Sequence, residues 1–206
     1  MKRIAILTGL SIFLYSGAFA QFSGQLSTPQ TVANGYSKLG GYIGIYDGGI
    51  GVLGQYRYGV GGYTDIGAKL GIIDFNSGFH NSSTGFDAAF DFKYLAMERR
   101  LRDPINLSVG GQIEFVGVEG FNILSFGVNG VGSYPVKLRN GRTLEPYGRL
   151  QLRIENDDFN HNGSHTDFEL GFNPGVSFEL SPTINAIGEF QFDETTAFFM
   201  GLDFAL

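Results

Sequence analysis

Polar and apolar residues alternate through most of this chain. Between Thr143 and Glu155, Arg149, Gln151, Arg153 and Glu155 fall on one parity, and Leu150, Leu152 and Ile154 on the other. Strand side chains point to opposite faces in turn, so this pattern predicts a β-strand with one polar and one apolar face. Phe86, Ala88, Phe90, Phe92 and Tyr94 oppose Asp87, Asp91 and Lys93 in the same way. Ile105, Leu107, Val109, Ile113 and Phe115 oppose Asn106, Ser108, Gln112 and Glu114. Phe168, Leu170, Phe172, Val176 and Phe178 oppose Asp167, Glu169, Asn173, Ser177 and Glu179. Ten strands are expected near 37–46, 50–60, 63–74, 84–96, 105–117, 121–134, 143–155, 166–180, 183–193 and 195–206. Turn residues mark most junctions, as in Asp47-Gly48-Gly49, Gly61-Gly62, Asn140-Gly141 and Ser181-Pro182.

Which face meets solvent decides the fold class. A soluble secreted sandwich or barrel would enclose the apolar face and wet the charged one. Here bulky Phe and Leu crowd the apolar face of nearly every strand, and Gly and Ser recur on the polar face. Small polar groups inside and bulky apolar groups outside predict an all-β chain, a transmembrane antiparallel up-and-down β-barrel of about ten strands, with eight as the alternative. The 32 glycines fit that reading. Gly40, Gly44, Gly67, Gly71, Gly110, Gly127 and Gly171 sit inside strand-like segments. Glycine weakens a strand unless a bend, a bulge or a close approach requires it.

The N-terminus changes the picture next. Lys2 and Arg3, an apolar run from Ile4 to Tyr15, and Ala18-Phe19-Ala20 predict a cleaved signal peptide over residues 1–20. The apolar run is short for an uncleaved anchor, and no cysteine exists for a lipid attachment. Residues 21–35 are polar and aperiodic and are expected to form an N-terminal tail, with the barrel over 36–206. Without the leader, 186 residues remain with 12 basic and 20 acidic side chains, a balance of −8, because only Lys2 and Arg3 are lost. That balance disfavours nucleic acid as a partner. With no cysteine there is no disulfide, so stability must come from elsewhere, as from a closed ring of hydrogen-bonded strands in lipid.

The leader, the alternating strands and the end of the chain together resemble the small bacterial outer-membrane β-barrel proteins, the broad OmpA/OmpX-like class. In the last strand, Gly201, Phe204 and Leu206 match the C-terminal assembly signal of that class: glycine, then an aromatic, then a terminal apolar residue, at alternating outward positions. Leu206 replaces the usual terminal aromatic, and Phe199 stands where a polar residue is commoner. The resemblance implies residence in the bacterial outer membrane, contact with its lipid, and recognition by the barrel assembly machinery. It is architectural and transfers no active site. Oligomeric state is not read from it.

An even strand number in this class puts both termini on the periplasmic side. The outer connections then fall near 46–49, 74–84, 117–121, 156–166 and 192–196, and two of them are long and polar. They hold Asp47, Asp74, Glu119, Asp157, Asp158, Asp193 and Glu194 without a Lys or Arg. The periplasmic connections hold Arg99, Arg100, Arg102, Lys137, Arg139 and Arg142 against Glu98 and Asp103. Scattered acids at the outer rim form no ligand set with known spacing, so they read as solvated loop surface.

The expected lumen-lining residues are Lys38, Arg57, Asp65, Lys69, Asp87, Asp91, Lys93, Glu114, Arg149, Arg153, Glu155, Glu169, Glu189 and Asp203. Hairpin counting sets Arg57 opposite Asp65, Arg153 opposite Glu169, and Lys69 within reach of Asp91. Either these charges cross-link and fill the lumen, leaving a structural or interaction protein, or a narrow channel survives that favours small cations. A lipid hydrolase is the remote third reading. Its candidates are His80, Ser82, His161, His165, Asp157 and Asp158, with His80-Asn81-Ser82 resembling the His-x-Ser spacing of outer-membrane lipid A deacylases. Polar loops commonly contain such residues, and no catalytic residue, metal or cofactor is assigned. Tyr42, Tyr46, Tyr56, Tyr58, Tyr63, Tyr94, Tyr134 and Tyr147 are candidates for the interface girdle that Trp often supplies, and the chain has no Trp.

Overall fold

A computed structural model describes residues 23–77, 81–99, 103–118, 121–159, 163–193 and 196–206, with backbone alone at 75–77, 81–82, 121, 157–159 and 163–165. Its strands are β1 (Ser37–Tyr46), β2 (Gly49–Gly59), β3 (Thr64–Ser77), β4 (Asn81–Met97), β5 (Asn106–Val118), β6 (Phe121–Ser133), β7 (Val136–Lys137), β8 (Thr143–Phe159), β9 (Gly163–Ser181), β10 (Ile184–Phe192) and β11 (Thr196–Ala205). All pairings between strands are antiparallel. Each wall strand pairs with its chain neighbours. The ring closes where β1 meets β11, with Lys38 opposite Ala205, and β6 pairs directly with β8. The wall is therefore a ten-stranded barrel, not an eight-stranded one. The two-residue β7 pairs only with β8 and belongs to the connection between β6 and β8.

Period two sets which way each residue faces. Phe90, Leu150 and Phe172 are 51%, 59% and 49% exposed, whereas Arg149 and Asp91 are buried inside the ring. A soluble protein would invert this arrangement. An apolar outer wall around a polar interior fits hydrocarbon as the outer solvent. No helix among the described residues is long and apolar enough to cross a membrane. The shortest wall strands, at 9 and 10 residues, still match the 9–11 that a tilted transmembrane strand needs.

The end of the barrel that holds Ser37 and Ala205 is called the base here, and the opposite end the far end. At the far end the long polar connections expected at 74–84 and 156–166 are mostly strand. Asn76 pairs with Ser82 in β3–β4, and Asp157 with His165 in β8–β9. Polar residues on both faces hide the period-two signal there, although the ladder hydrogen bonds continue.

The C-terminal triplet needs a correction. Phe204 and Leu206 face outward, but Gly201 faces the lumen, where a Cβ would run into Tyr42. A spacing of three places residues 201 and 204 on opposite faces of a strand. The interior is also less uniformly polar than expected. Tyr46, Leu53, Ile73, Ala197 and Phe199 cluster inside, toward the far end. Val116, Val118 and Ile123 form a second inward apolar group. Phe199 is fully buried and meets Tyr46 edge-on at 5.4 Å between ring centroids. Of the candidate girdle tyrosines, Tyr42, Tyr46 and Tyr147 are buried in the lumen, while Tyr56, Tyr58, Tyr63, Tyr94 and Tyr134 are exposed on the outer wall toward the base.

Candidate functional site

The expected tail lies inside the barrel. Residues 23–29 are buried, entering from the base and rising through the lumen toward the far end. The segment makes no sheet of its own, so its backbone groups need other partners. Wall side chains supply them. The carbonyl of Ser23 accepts from Gln191 Nε2 at 3.0 Å, and that of Gly24 from Lys69 Nζ at 2.8 Å. The carbonyls of Gln25 and Ser27 accept from Arg149 Nη2, both at 3.3 Å. Leu26 accepts from Tyr42 Oη at 3.2 Å, and Thr28 from Lys93 Nζ at 2.8 Å. Six consecutive carbonyls are thus held by donors on β1, β3, β4, β8 and β10.

Acceptors on the wall hold the segment's donors. The Ser23 amide donates to Glu114 at 2.9 Å, and its hydroxyl reaches Asp87 at 2.7 Å. Val32 N–H donates to Asp65 at 2.8 Å near the base. Lys93 further binds the Gln30 carbonyl at 2.9 Å and Ser27 Oγ at 3.2 Å.

The same wall cations also pair with wall acids. Arg57 bridges Asp65 at 2.5 Å and Asp91 at 2.8 Å. Lys69 pairs with Glu114 at 3.3 Å, Arg149 with Glu189 at 3.1 Å, and Lys93 lies 3.7 Å from Asp65. Arg153 contacts Glu155 and Asp193, each at 2.5 Å. Lys38 lies 3.6 Å from Asp203, which shares the one Tyr42 hydroxyl proton with the Leu26 carbonyl. Such buried charges demand partners, since a lone one would be strongly destabilising.

Hairpin counting gave these neighbours only in part. Arg153 and Glu169 stand directly opposite in register. Arg57 lies opposite Gly67, one step diagonal from Asp65, and its long side chain closes the gap. Lys69 and Asp91 do not pair: Asp91 is taken by Arg57, and Lys69 reaches across to Glu114 and the Gly24 carbonyl.

Glycine makes room for this network. A Cβ on Gly67 would lie 2.6 Å from both Arg57 Nη1 and Asp91 Oδ2. Gly24 has φ +59°, and a Cβ there would lie 2.8 Å from Arg149 Nη1. Both a left-handed backbone and a close approach require glycine at that position.

At the base the lumen opens into a vestibule of about 770 Å³ lined by Thr28, Gln30, Lys38, Asn106, Glu145 and Asp203, among others. Among the described residues the middle of the lumen is filled by residues 23–29, and its base is open.

A barrel wall of this size enclosing polar groups is the architecture of outer-membrane proteins, and the comparisons agree in fold. The β domain of the Bordetella autotransporter BrkA superposes with a TM-score of 0.52 at 11% identity, over 82% of this chain and 97% of that one. The chain has a transmembrane β-barrel fold. A KdgM porin aligns at 8% identity with a TM-score of 0.42, over 82% of this chain and 99% of that one. The N-terminal barrel domain of Pseudomonas aeruginosa OprF aligns at 10% identity with a TM-score of 0.40, over 85% and 100%. No family model matches the sequence, and no curated protein matches it.

His80 and His161 lie outside the described residues, as do the side chains of Ser82, Asp157, Asp158 and His165. Among the described residues no three His, Cys, Asp or Glu side chains are placed to hold a metal ion.

Proposed function

We propose that this chain is an outer-membrane barrel shut by its own N-terminal segment, with a structural or interaction role in the cell envelope. The observation that carries the reading is the unbroken run of carbonyls from Ser23 to Thr28 held by wall side chains. In this reading the leader is removed after Ala20, the base faces the periplasm, and the outward Phe204 and Leu206 of β11 present the assembly signal. Outer-membrane lipid covers the apolar wall.

A second reading, a narrow cation-leaning channel, is favoured by how the segment is attached. Among the described residues, one backbone bridge, Asn34 with Gly59, and the hydrogen bonds of the adjoining turn tie its backbone to that of the wall. Side-chain contacts do the rest, and those can release without unzipping a strand.

Conductance in planar bilayers tests both. The full barrel should be shut, with only rare brief openings, after verified insertion. A barrel lacking residues 21–31 should show resolved openings, and a peptide of residues 21–31 added from the base side should close them. Steady conductance from the full barrel would overturn the plugged reading. Silence from the shortened barrel would assign closure to the wall side chains alone.

A further inference from the structure

The rim of the base carries two guanidinium groups beside aromatic rings, one of them, Arg99, also bordering the vestibule. Arg99 follows β4, and its Cζ lies 4.0 Å from the ring centroid of Tyr134. Its Nη2 donates to Tyr134 Oη at 2.8 Å and its Nη1 to the Pro135 carbonyl at 2.9 Å. Arg142 precedes β8, and its Cζ lies 5.9 Å from the ring centroid of Phe178. Neither guanidinium makes an ion pair among the described residues, although Glu98, Asp103, Glu145 and Glu179 belong to the same end. Glu179 lies 3.9 Å from Lys137, accepts from the Thr143 amide at 2.9 Å, and feels the charge of Arg142 at longer range. Asp103 accepts from the Glu98 amide.

Register places the two stacks on either side of β8. Tyr134 follows β6 and its N–H donates to the Pro146 carbonyl, while Phe178 of β9 pairs with Leu144. Two strand spacings, about 10 Å, therefore separate the aromatic seats. Farther from the base, Gly132 of β6 lies directly opposite Gly148 of β8 on the outer face. The ring of Phe172 lies over Gly148 and the end of Ile105 lies beside Gly132, so the wall there is smooth and apolar. Exposed tyrosines at the same end mark the depth where hydrocarbon gives way to headgroups.

We propose that this patch binds an anionic phospholipid of the inner leaflet. Arg99 and Arg142 take the phosphate charge, and the acyl chains lie against the apolar wall beside them. Stacked guanidinium groups suit phosphate because the plane is fixed while outward N–H donors remain free. The proposal rests on the membrane-barrel reading above, since only that reading puts this face at a headgroup layer.

The test uses the full barrel reconstituted in vesicles of equal phosphatidylglycerol and phosphatidylethanolamine, then released and weighed by native mass spectrometry with its retained lipid. Insertion is verified first by the gel-mobility shift of a folded barrel on heating. Phosphatidylglycerol should be enriched about 30-fold in the retained lipid, the scale expected for two interfacial cations. The double substitution R99Q/R142Q should return the ratio to that of the vesicle while leaving insertion unchanged. Retention that is indifferent to headgroup, or unchanged enrichment in R99Q/R142Q, would overturn the lipid site alone. Failure of the wild-type barrel to insert into any vesicle would overturn the membrane reading and the site with it.

Discussion

Lys93 is the sharpest handle on whether the N-terminal segment is a plug. Its ammonium sits 2.8 Å from the Thr28 carbonyl, 2.9 Å from that of Gln30 and 3.2 Å from Ser27 Oγ. Lys93→Met keeps the length of the stem and removes all three bonds. A hydrogen bond to a charged group contributes roughly 1.5–3 kcal/mol. Three on one ammonium do not add fully, and losing a buried cation also relieves its desolvation. A net loosening of about 2–4 kcal/mol remains, which shifts the balance between seated and released plug by about 30- to 1000-fold. The wall itself should hold, because Asp65 keeps Arg57 at 2.5 Å. Single-channel recording should therefore show rare openings in wild type becoming frequent in Lys93→Met, while the heating-induced gel shift stays the same. Equal opening frequencies in two folded barrels would refute the reasoning, because the contacts to Ser27, Thr28 and Gln30 would then contribute nothing to closure.

Gly24→Ala forces an L side chain into φ +59° and against Arg149, a penalty of about 1–2 kcal/mol or more; it should raise opening frequency about tenfold or more in the same recordings. Arg57→Met strands the buried Asp91 without its cation and leaves Asp65 with Lys93 alone, 3.7 Å away; urea unfolding from vesicles should show a loss of about 3–5 kcal/mol, and an unchanged midpoint would argue that the network is solvated. Phe90→Arg sets a charge on the lipid face of β4, where Phe90 is 51% exposed; a loss of about 2–4 kcal/mol is expected for a site near the bilayer midplane, and tolerance of the arginine would contradict hydrocarbon outside the wall.

The wall was legible because a half-lipid, half-lumen strand writes its facing directly into the sequence at period two. That is why Phe86–Tyr94 and Thr143–Glu155 could be oriented without coordinates. Partner choice was less legible. Register fixes which backbones oppose, but an Arg or Lys spans several positions, so Arg57 reaches diagonally and Lys69 crosses to Glu114. The plug left no periodic trace, since an extended segment held by wall side chains imposes no alternation on its own sequence. One signal was available. Arg149 faces Val131 on one flank and Asn173 on the other, so register alone gave this buried guanidinium no acid beside it. A cation in that position needs an acceptor from elsewhere in the chain, and the Gln25 and Ser27 carbonyls provide two.

The double service of the wall cations bears on how the molecule is built. Lys69, Arg149 and Lys93 each face an acid on the wall and a carbonyl on the segment. Removing the segment leaves every one of those wall pairs in place and opens water to the freed donors, so none of these three cations is orphaned. The wall should therefore fold and close without the plug, with seating as a later step. A barrel lacking residues 21–31 should show the full heating-induced gel shift and a urea midpoint closer to wild type than Arg57→Met shows. If that shortened chain fails to insert while Arg57→Met inserts normally, the segment is part of the folding core rather than an occupant of a finished lumen, and the channel reading loses its physical basis.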